Sequence, residues 1–319
     1  MHVSAQNPTR MRFGSAVFAM VPKVLLKRFK PKKLKEGAGF IVRRPVGDGQ
    51  ISDKESDPFL LLDELGPVTY KKGEFPGAPW HPHRGLDTVA YIKEGEGEHS
   101  DSMGNNGILR AGDCQWMTAA SGIIHDEGKN HPGGLLHGFQ CWVNLPTKHK
   151  MDPPAYQDVP SRVIPVVVPS PGVTIKIIAG RCAGKNAVVQ TLVPIQYVDV
   201  MLAANKEFTH DEIDSRMTTT IVYIYRGSGM VDDQAVSDGD CLLLGDGDSV
   251  TFKASDSDSG SEDSGMDVLF LAGEKINEPI ARHGPFVMNT IEEIEQCFED
   301  YRNGTLVKHK ATMRKFDEL

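Results

Sequence analysis

Cysteine is scarce: five occur in 319 residues, at Cys114, Cys141, Cys182, Cys241 and Cys297, and no two form a C-x-x-C pair. An odd, scattered set argues against a disulfide framework and predicts a reducing compartment inside the cell, cytoplasm or nucleus. No run of 18 apolar residues occurs, so the chain offers no candidate for a membrane-crossing helix. No clean apolar stretch with a small-residue cleavage site follows the first positive charges, so a secretory leader is not expected. Acid is absent from residues 1–35, which carry nine lysines and arginines; with a formal net charge of −8 for the whole chain, about −17 falls on the rest. A body of that sign repels a phosphate backbone, which excludes direct nucleic-acid binding outside the basic arm.

What remains is the composition of a soluble globular protein, 39% hydrophobic and 24% charged, long enough for two domains. Residues 1–36 read as a flexible basic extension. Three roles fit it: a mitochondrial transit peptide, a nuclear-targeting or nucleic-acid patch, or a plain solvated arm. From Gly37 onward, short runs of β-formers alternate with Gly, Pro, Asn and Asp, which predicts an all-β chain of the sandwich or barrel kind. Seven prolines between residues 145 and 172 mark the crossing between domains. The division expected is 37–160 and 161–319. Ile291, Ile294, Phe298 and Tyr301 recur at helical spacing behind Asn289 or Thr290, so a short closing helix is expected. The acidic serine run from Ser255 to Gly265 is expected to be a mobile loop, and a monomer is the default.

The chain repeats itself. Thr220–Gly229 aligns without gaps on Thr88–Gly97, and Gly239-Asp240-Cys241 echoes Gly112-Asp113-Cys114, as one β domain used twice would.

Against this scaffold stand two short motifs, His81-Pro82-His83 and His125-Asp126-Glu127. On strands, residues two apart share a face, so each motif presents a pair of metal-ligating side chains to one side. Paired side by side, the strands would direct three imidazoles and one carboxylate at a single point. The repeat is an internal control: its offsets put Ile213 and Ser215 where His81 and His83 stand, and Phe252 and Ala254 where His125 and Glu127 stand. The scaffold does not need these four residues, so they are read as ligands of a metal held by the first domain only. A divalent ion with these ligands keeps one or two positions open, and the absence of cysteine among them favours a reactive over a structural site. Arg84 is read as structural because Arg216 matches it in the metal-free half. His99, His131 and His137 are read as surface or rim, His210 as surface, and Trp116 and Trp142 as core.

The chain resembles the pirin family, a branch of the cupins. The resemblance runs from about Ile41 to Asn303 and rests on six motifs: Asp57-Pro58-Phe59-Leu60-Leu61, His81-Pro82-His83-Arg84-Gly85, Gly112–Thr118, Gly122–Glu127, Trp142-Val143-Asn144-Leu145 and His283–Thr290. It departs at Asp87, where the first cupin motif usually has Glu, and in Gly128–Gly134, a family-variable rim. The resemblance implies two tandem cupin domains, small double-stranded β-helix or jelly-roll barrels, with one metal in the first through His81, His83, His125 and Glu127. It points to Fe(II), while the donor set alone also admits Cu, Mn, Ni or Zn. It further implies a quercetin 2,3-dioxygenase-like oxidoreductase. Glu127 would accept the proton of a flavonol's 3-hydroxyl, and O2 would split the activated ring with loss of carbon monoxide. An alternative implied by the same resemblance is a redox-sensing transcription co-regulator, whose metal state controls binding to a transcription factor or other protein.

Overall fold

The computed structural model describes residues 20–256 and 265–316. The first domain has an eight-stranded sheet in the order Lys32–Glu36, Phe40–Val46, Phe59–Tyr70, Gly134–Asn144, Leu86–Glu94, Cys114–Thr118, Ala155–Val159, Thr312–Arg314. Its four-stranded sheet runs Ala78–His83, Ile123–Lys129, Glu96–Asp101, Asn106–Arg110. The second domain is built on one ten-stranded sheet centred on Thr219–Val231 and Met266–Gly273. Both are cupin domains in a mostly β chain with one short C-terminal helix.

Strand alternation sorts the side chains. Ile221, Tyr223 and Tyr225 join Val89, Tyr91, Phe139 and Cys141 in the largest apolar cluster, which lies between the two domains. The alternate residues Val222 and Ile224 point the other way and, with Val250, Phe252 and Phe270, fill the interior of the second barrel. In the first domain the corresponding inward residues, Ala90, Ile92, Gly138, Gln140 and Trp142, line a cavity of about 710 Å³ instead. One barrel is packed solid and the other is hollow. Two buried carboxylates tie the domains together. Asp199 accepts from the Tyr91 and Tyr225 hydroxyls at 2.7 and 2.5 Å and from Lys93 at 2.6 Å; Glu64 accepts from Arg43, Tyr223 and His137.

The repeat holds at the level of single hydrogen bonds. Gly112 N donates to Ile92 O and Ile92 N to Asp113 O, just as Gly239 N donates to Ile224 O and Ile224 N to Asp240 O. Both glycines have positive φ, +86° and +78°, which the turn demands and which other residues adopt at a cost.

The two chain ends cross over, which corrects the expected division. Residues 20–36 are not a flexible arm: Leu25–Phe29 pairs antiparallel with Cys241–Leu244 of the second domain, and Lys32–Glu36 pairs with Phe40–Val46 of the first. The basic residues that suggested a solvated run find carboxylates, Arg28 on Asp240 at 2.8 Å and Lys27 on Glu55 at 2.7 Å. Conversely, the end of the chain returns to the first domain, where Thr312–Arg314 adds in parallel to Ala155–Val159. The remainder of the arm, residues 1–19, and most of the acidic serine run lie outside the described residues.

The closing helix forms over Ile291–Arg302, with Thr290 as N-cap in a reciprocal capping box with Glu293. Its buried face is Ile294, Cys297 and Asp300, while Ile291 is exposed. Asp300 faces inward because it holds the buried Arg84 at 2.8 Å. No described helix is long and apolar enough to cross a membrane.

Candidate metal centre

The strands carrying the two motifs are neighbours. Ala78–His83 and Ile123–Lys129 pair antiparallel, with His81 opposite His125 and His83 opposite Ile123. Since His81 and His83 share a face, the three rings converge, and one nitrogen from each lies within 4.8 Å of the other two. The Nε2 atoms of His81 and His125 stand 2.9 Å apart.

The opposite ring edges fix which nitrogen faces inward. His81 Nδ1 lies 2.8 Å from the Pro79 carbonyl and His83 Nδ1 lies 3.3 Å from the Pro285 carbonyl. A carbonyl only accepts, so each Nδ1 carries the proton and each Nε2 turns its lone pair to the centre. Three ring nitrogens gathered within 4.8 Å, with those of His81 and His83 presenting lone pairs to the centre, form a donor set that fits a divalent metal. Burial, reinforced by the neighbouring imidazole of His81, pulls His83 down to about 3. Burial and the adjacent histidines hold His125 well below the ordinary value. Both rings are therefore neutral ligands at neutral pH.

Glu127 follows a β-bulge that shifts it opposite Ala78. Its half-buried carboxylate lines the same cavity but stands outside the three-nitrogen cluster. Burial raises its pKa, and His81 opposes the rise. The structure thus brings three of the four sequence-predicted ligands into contact and leaves the fourth in the adjoining space.

Several roles differ from those read in the sequence. His99 is buried, sits opposite Glu127 on the next strand, lines the cavity, and packs its ring 5.3 Å from that of His125. Burial lowers it to about 4. It belongs to no paired motif, so only strand register reveals it. Trp142 is core on one side only: half-buried against Leu60, Leu86 and Val287, it also lines the cavity and meets the His83 ring edge-on at 5.2 Å. Trp116 is core, its Nε1 donating to the buried Asp87 at 2.9 Å. His131 is buried between Tyr70 and Phe75, and His137 is buried against Glu64.

Register also revises the internal control. Glu207–His210 pairs with Val250–Ala254, placing Phe208 opposite Phe252 and His210 opposite Val250. Phe208 and His210 therefore occupy the places of His81 and His83, not Ile213 and Ser215. Extra residues before Thr219 had displaced the count. One histidine survives in the second barrel, buried rather than at the surface, and its ring nitrogens are taken by Cys182 Sγ at 3.5 Å and Gln196 Oε1 at 3.2 Å. Arg216 is exposed and pairs with Asp214, so it does not match the buried Arg84. Arg84 is structural for a different reason: it donates to Ser121 O, Leu306 O and Asp300.

Two back-to-back barrels, one filled and one holding a three-histidine cluster at a cavity, define a two-domain cupin whose cluster fits a metal site. Residues 39–143 match the pirin family and residues 197–307 match the pirin C-terminal cupin domain. The chain belongs to the pirin family. It is 39% identical to human pirin over 276 residues, covering 84% of this chain and 88% of that protein. It is 36% identical to a pirin-like protein of Solanum lycopersicum over 293 residues, 91% and 94% of the two chains. The crystal structure of a quercetin 2,3-dioxygenase from Acinetobacter baumannii is similar with a TM-score of 0.81 and 31% identity, covering 89% of this chain and 98% of that one.

Proposed function

We propose that this protein is a dioxygenase that cleaves a flavonol such as quercetin, using one metal ion, iron in our reading, held by His81, His83 and His125 with Glu127 as fourth ligand. The observation that carries the proposal is the convergence of three imidazoles, two of them anchored to backbone carbonyls, beside a cavity large enough for a flavonol. The likeness to the A. baumannii quercetin 2,3-dioxygenase supports the substrate class. When bound, the metal supplies Lewis acidity toward the substrate's hydroxyl and open positions for chelation.

The chain's own residues do the rest. His81 and His83, pinned through Nδ1, hold the substrate's attachment point in one orientation. Glu127, lining the cavity beside them, accepts the proton of the 3-hydroxyl. Trp142 presents ring surface to a flat substrate and, with Phe40 and Leu65, keeps water from it.

The test is metal content by mass spectrometry together with quercetin loss in air, for wild type, His81→Ala and Glu127→Gln. About one equivalent of metal with turnover, both lost in His81→Ala, supports the proposal, as does a Glu127→Gln variant that keeps metal and loses turnover. Metal without turnover in the iron-, copper-, manganese- and nickel-loaded forms refutes it and transfers the assignment to the redox-sensing co-regulator.

A further inference from the structure

The floor of the cavity is banded. Across three neighbouring strands of the large sheet, Leu61, Trp142 and Thr88 form the row beside the histidines, with Trp142 packed on His83. The next row is Asp63, Gln140 and Ala90, and the one beyond it is Leu65, Gly138 and Ile92. Rows are two residues apart, roughly 7 Å. A polar band therefore crosses an otherwise apolar floor one row away from the metal centre.

Within that band the two polar side chains differ. Asp63 is buried and held by Arg44, whose Nε and Nη2 donate to its two oxygens at 2.7 and 2.6 Å while Nη2 also reaches Glu36 at 2.5 Å. Gln140 lines the cavity and its amide has no hydrogen-bond partner among the described residues. An amide that faces the cavity without a protein partner is open to whatever group occupies this row. The charge balance says what that is. The cavity lining carries five carboxylates, Glu36, Asp63, Glu96, Glu98 and Glu127, against two guanidinium groups. Both of those are already engaged, Arg44 by two acids and Arg282 by Leu60 O and Asp53. A carboxylate or phosphate at this row would meet repulsion with no free cation. A hydroxyl would not, because Gln140 can both donate to it and accept from it, and each Asp63 oxygen keeps a second lone pair.

We propose that Gln140, with the Arg44-anchored Asp63 beside it, is the specificity-determining contact for a phenolic hydroxyl at the end of the substrate remote from the metal. The substrate class is then an uncharged, flat aromatic bearing hydroxyls at both ends. This rests on the flavonol reading above and adds to it the residue that reads the second end.

The experiment is isothermal titration of the metal-loaded protein with quercetin and with 3-hydroxyflavone, which keeps the reacting hydroxyl and lacks the others. Wild type, Gln140→Leu and Gln140→Met are compared, with thermal unfolding as the fold control. Wild type binds quercetin more tightly, and Gln140→Leu weakens quercetin about five- to tenfold, the worth of one neutral hydrogen bond, while 3-hydroxyflavone stays within about twofold. In turnover the same variant raises KM for quercetin and leaves kcat nearly unchanged. If Gln140→Leu does not fold, the unbranched Gln140→Met carries the comparison. Equal weakening of both ligands, or of neither, overturns the role of Gln140 and leaves the flavonol reading standing. Wild type that binds neither compound overturns both.

Discussion

Gly85 follows the His81-Pro82-His83-Arg84 motif, and replacing it by alanine tests how the second half of the chain holds the metal centre. Its φ is +84°, a conformation that costs an alanine about 1–2 kcal/mol. The added Cβ would also overlap the Val287 carbonyl oxygen and come within 2.9 Å of Met288 Sδ. The overlap is with backbone, so the hairpin of Ala281–His283 and Phe286–Met288 must move. That puts at risk the Val287 N to Arg84 O bond at 3.0 Å and the Lys150 ammonium, which bridges Gly85 O at 2.8 Å and Val287 O at 3.1 Å. At about 1 kcal/mol for the neutral bond and somewhat more for the charged one, the total is roughly 3–5 kcal/mol, or a fall in Tm on the order of 10 °C. The functional consequence follows from Pro285 in the same hairpin, whose carbonyl orients His83. Losing such a partner lowers metal affinity about 10- to 100-fold. The assay is thermal unfolding plus a competitive chelator titration. Gly73→Ala is the control, because Gly73 also has positive φ, +73°, but nothing lies within 4 Å of its Cβ position. Gly85→Ala indistinguishable from Gly73→Ala in both measurements would refute the reasoning.

His81→Ala reduces metal from about one equivalent to a trace while His210→Ala leaves it unchanged, as mass spectrometry of the two proteins will show; equal losses would mean that the second barrel also binds metal. His210 has its folded pKa lowered to about 4, by burial. Its share of stability is therefore fully present above the unfolded value near 6.5 and is lost as pH falls toward 4. Urea titrations at pH 6.5 and 5 should differ by about 2 kcal/mol less in His210→Phe than in wild type. Arg84→Met leaves Asp300 buried without its main partner and costs about 3 kcal/mol in urea unfolding, whereas Arg216→Met, at an exposed pair, leaves the unfolding curve nearly unchanged. Deleting residues 1–36 removes an edge strand from each domain and the Arg28–Asp240 pair, so circular dichroism melting should shift down, where a plain solvated arm would leave it unmoved.

Much of the centre is written locally. His-x-His and His-x-Glu on strands put their side chains on one face whatever the rest of the chain does, because strand geometry has period two. The Thr290 capping box and the turns at Gly112 and Gly239, closed by Asp113 N to Arg110 O and Asp240 N to Ser237 O, are equally local, set by residues three positions apart. Alternation along Leu86–Glu94 and Thr219–Val231 likewise announces two-sided strands.

Register, direction and long-range closure belong to the tertiary structure. Counting back from Thr220 assigned Ile213 to the place of His81, but strand pairing assigns Phe208, because a loop can lengthen without disturbing the ladder on either side of it. Trp142 and Phe139 are three residues apart on one apolar strand; only the neighbouring sheets decide that Trp142 belongs to the cavity at the metal centre and Phe139 also to the interdomain core. The basic run at Lys27–Lys35 carried a solvated signature until the Asp240 carboxylate, more than 200 residues away, supplied a partner for Arg28 and Lys30. Pro285, contributed by the far end of the chain, orients His83 through a carbonyl that every residue possesses, and so no side-chain pattern could reveal it. The sequence by itself determined which side chains could bind a metal; the fold determined how their lone pairs are aimed and what surrounds them, since both depend on contacts between segments that share no local signal.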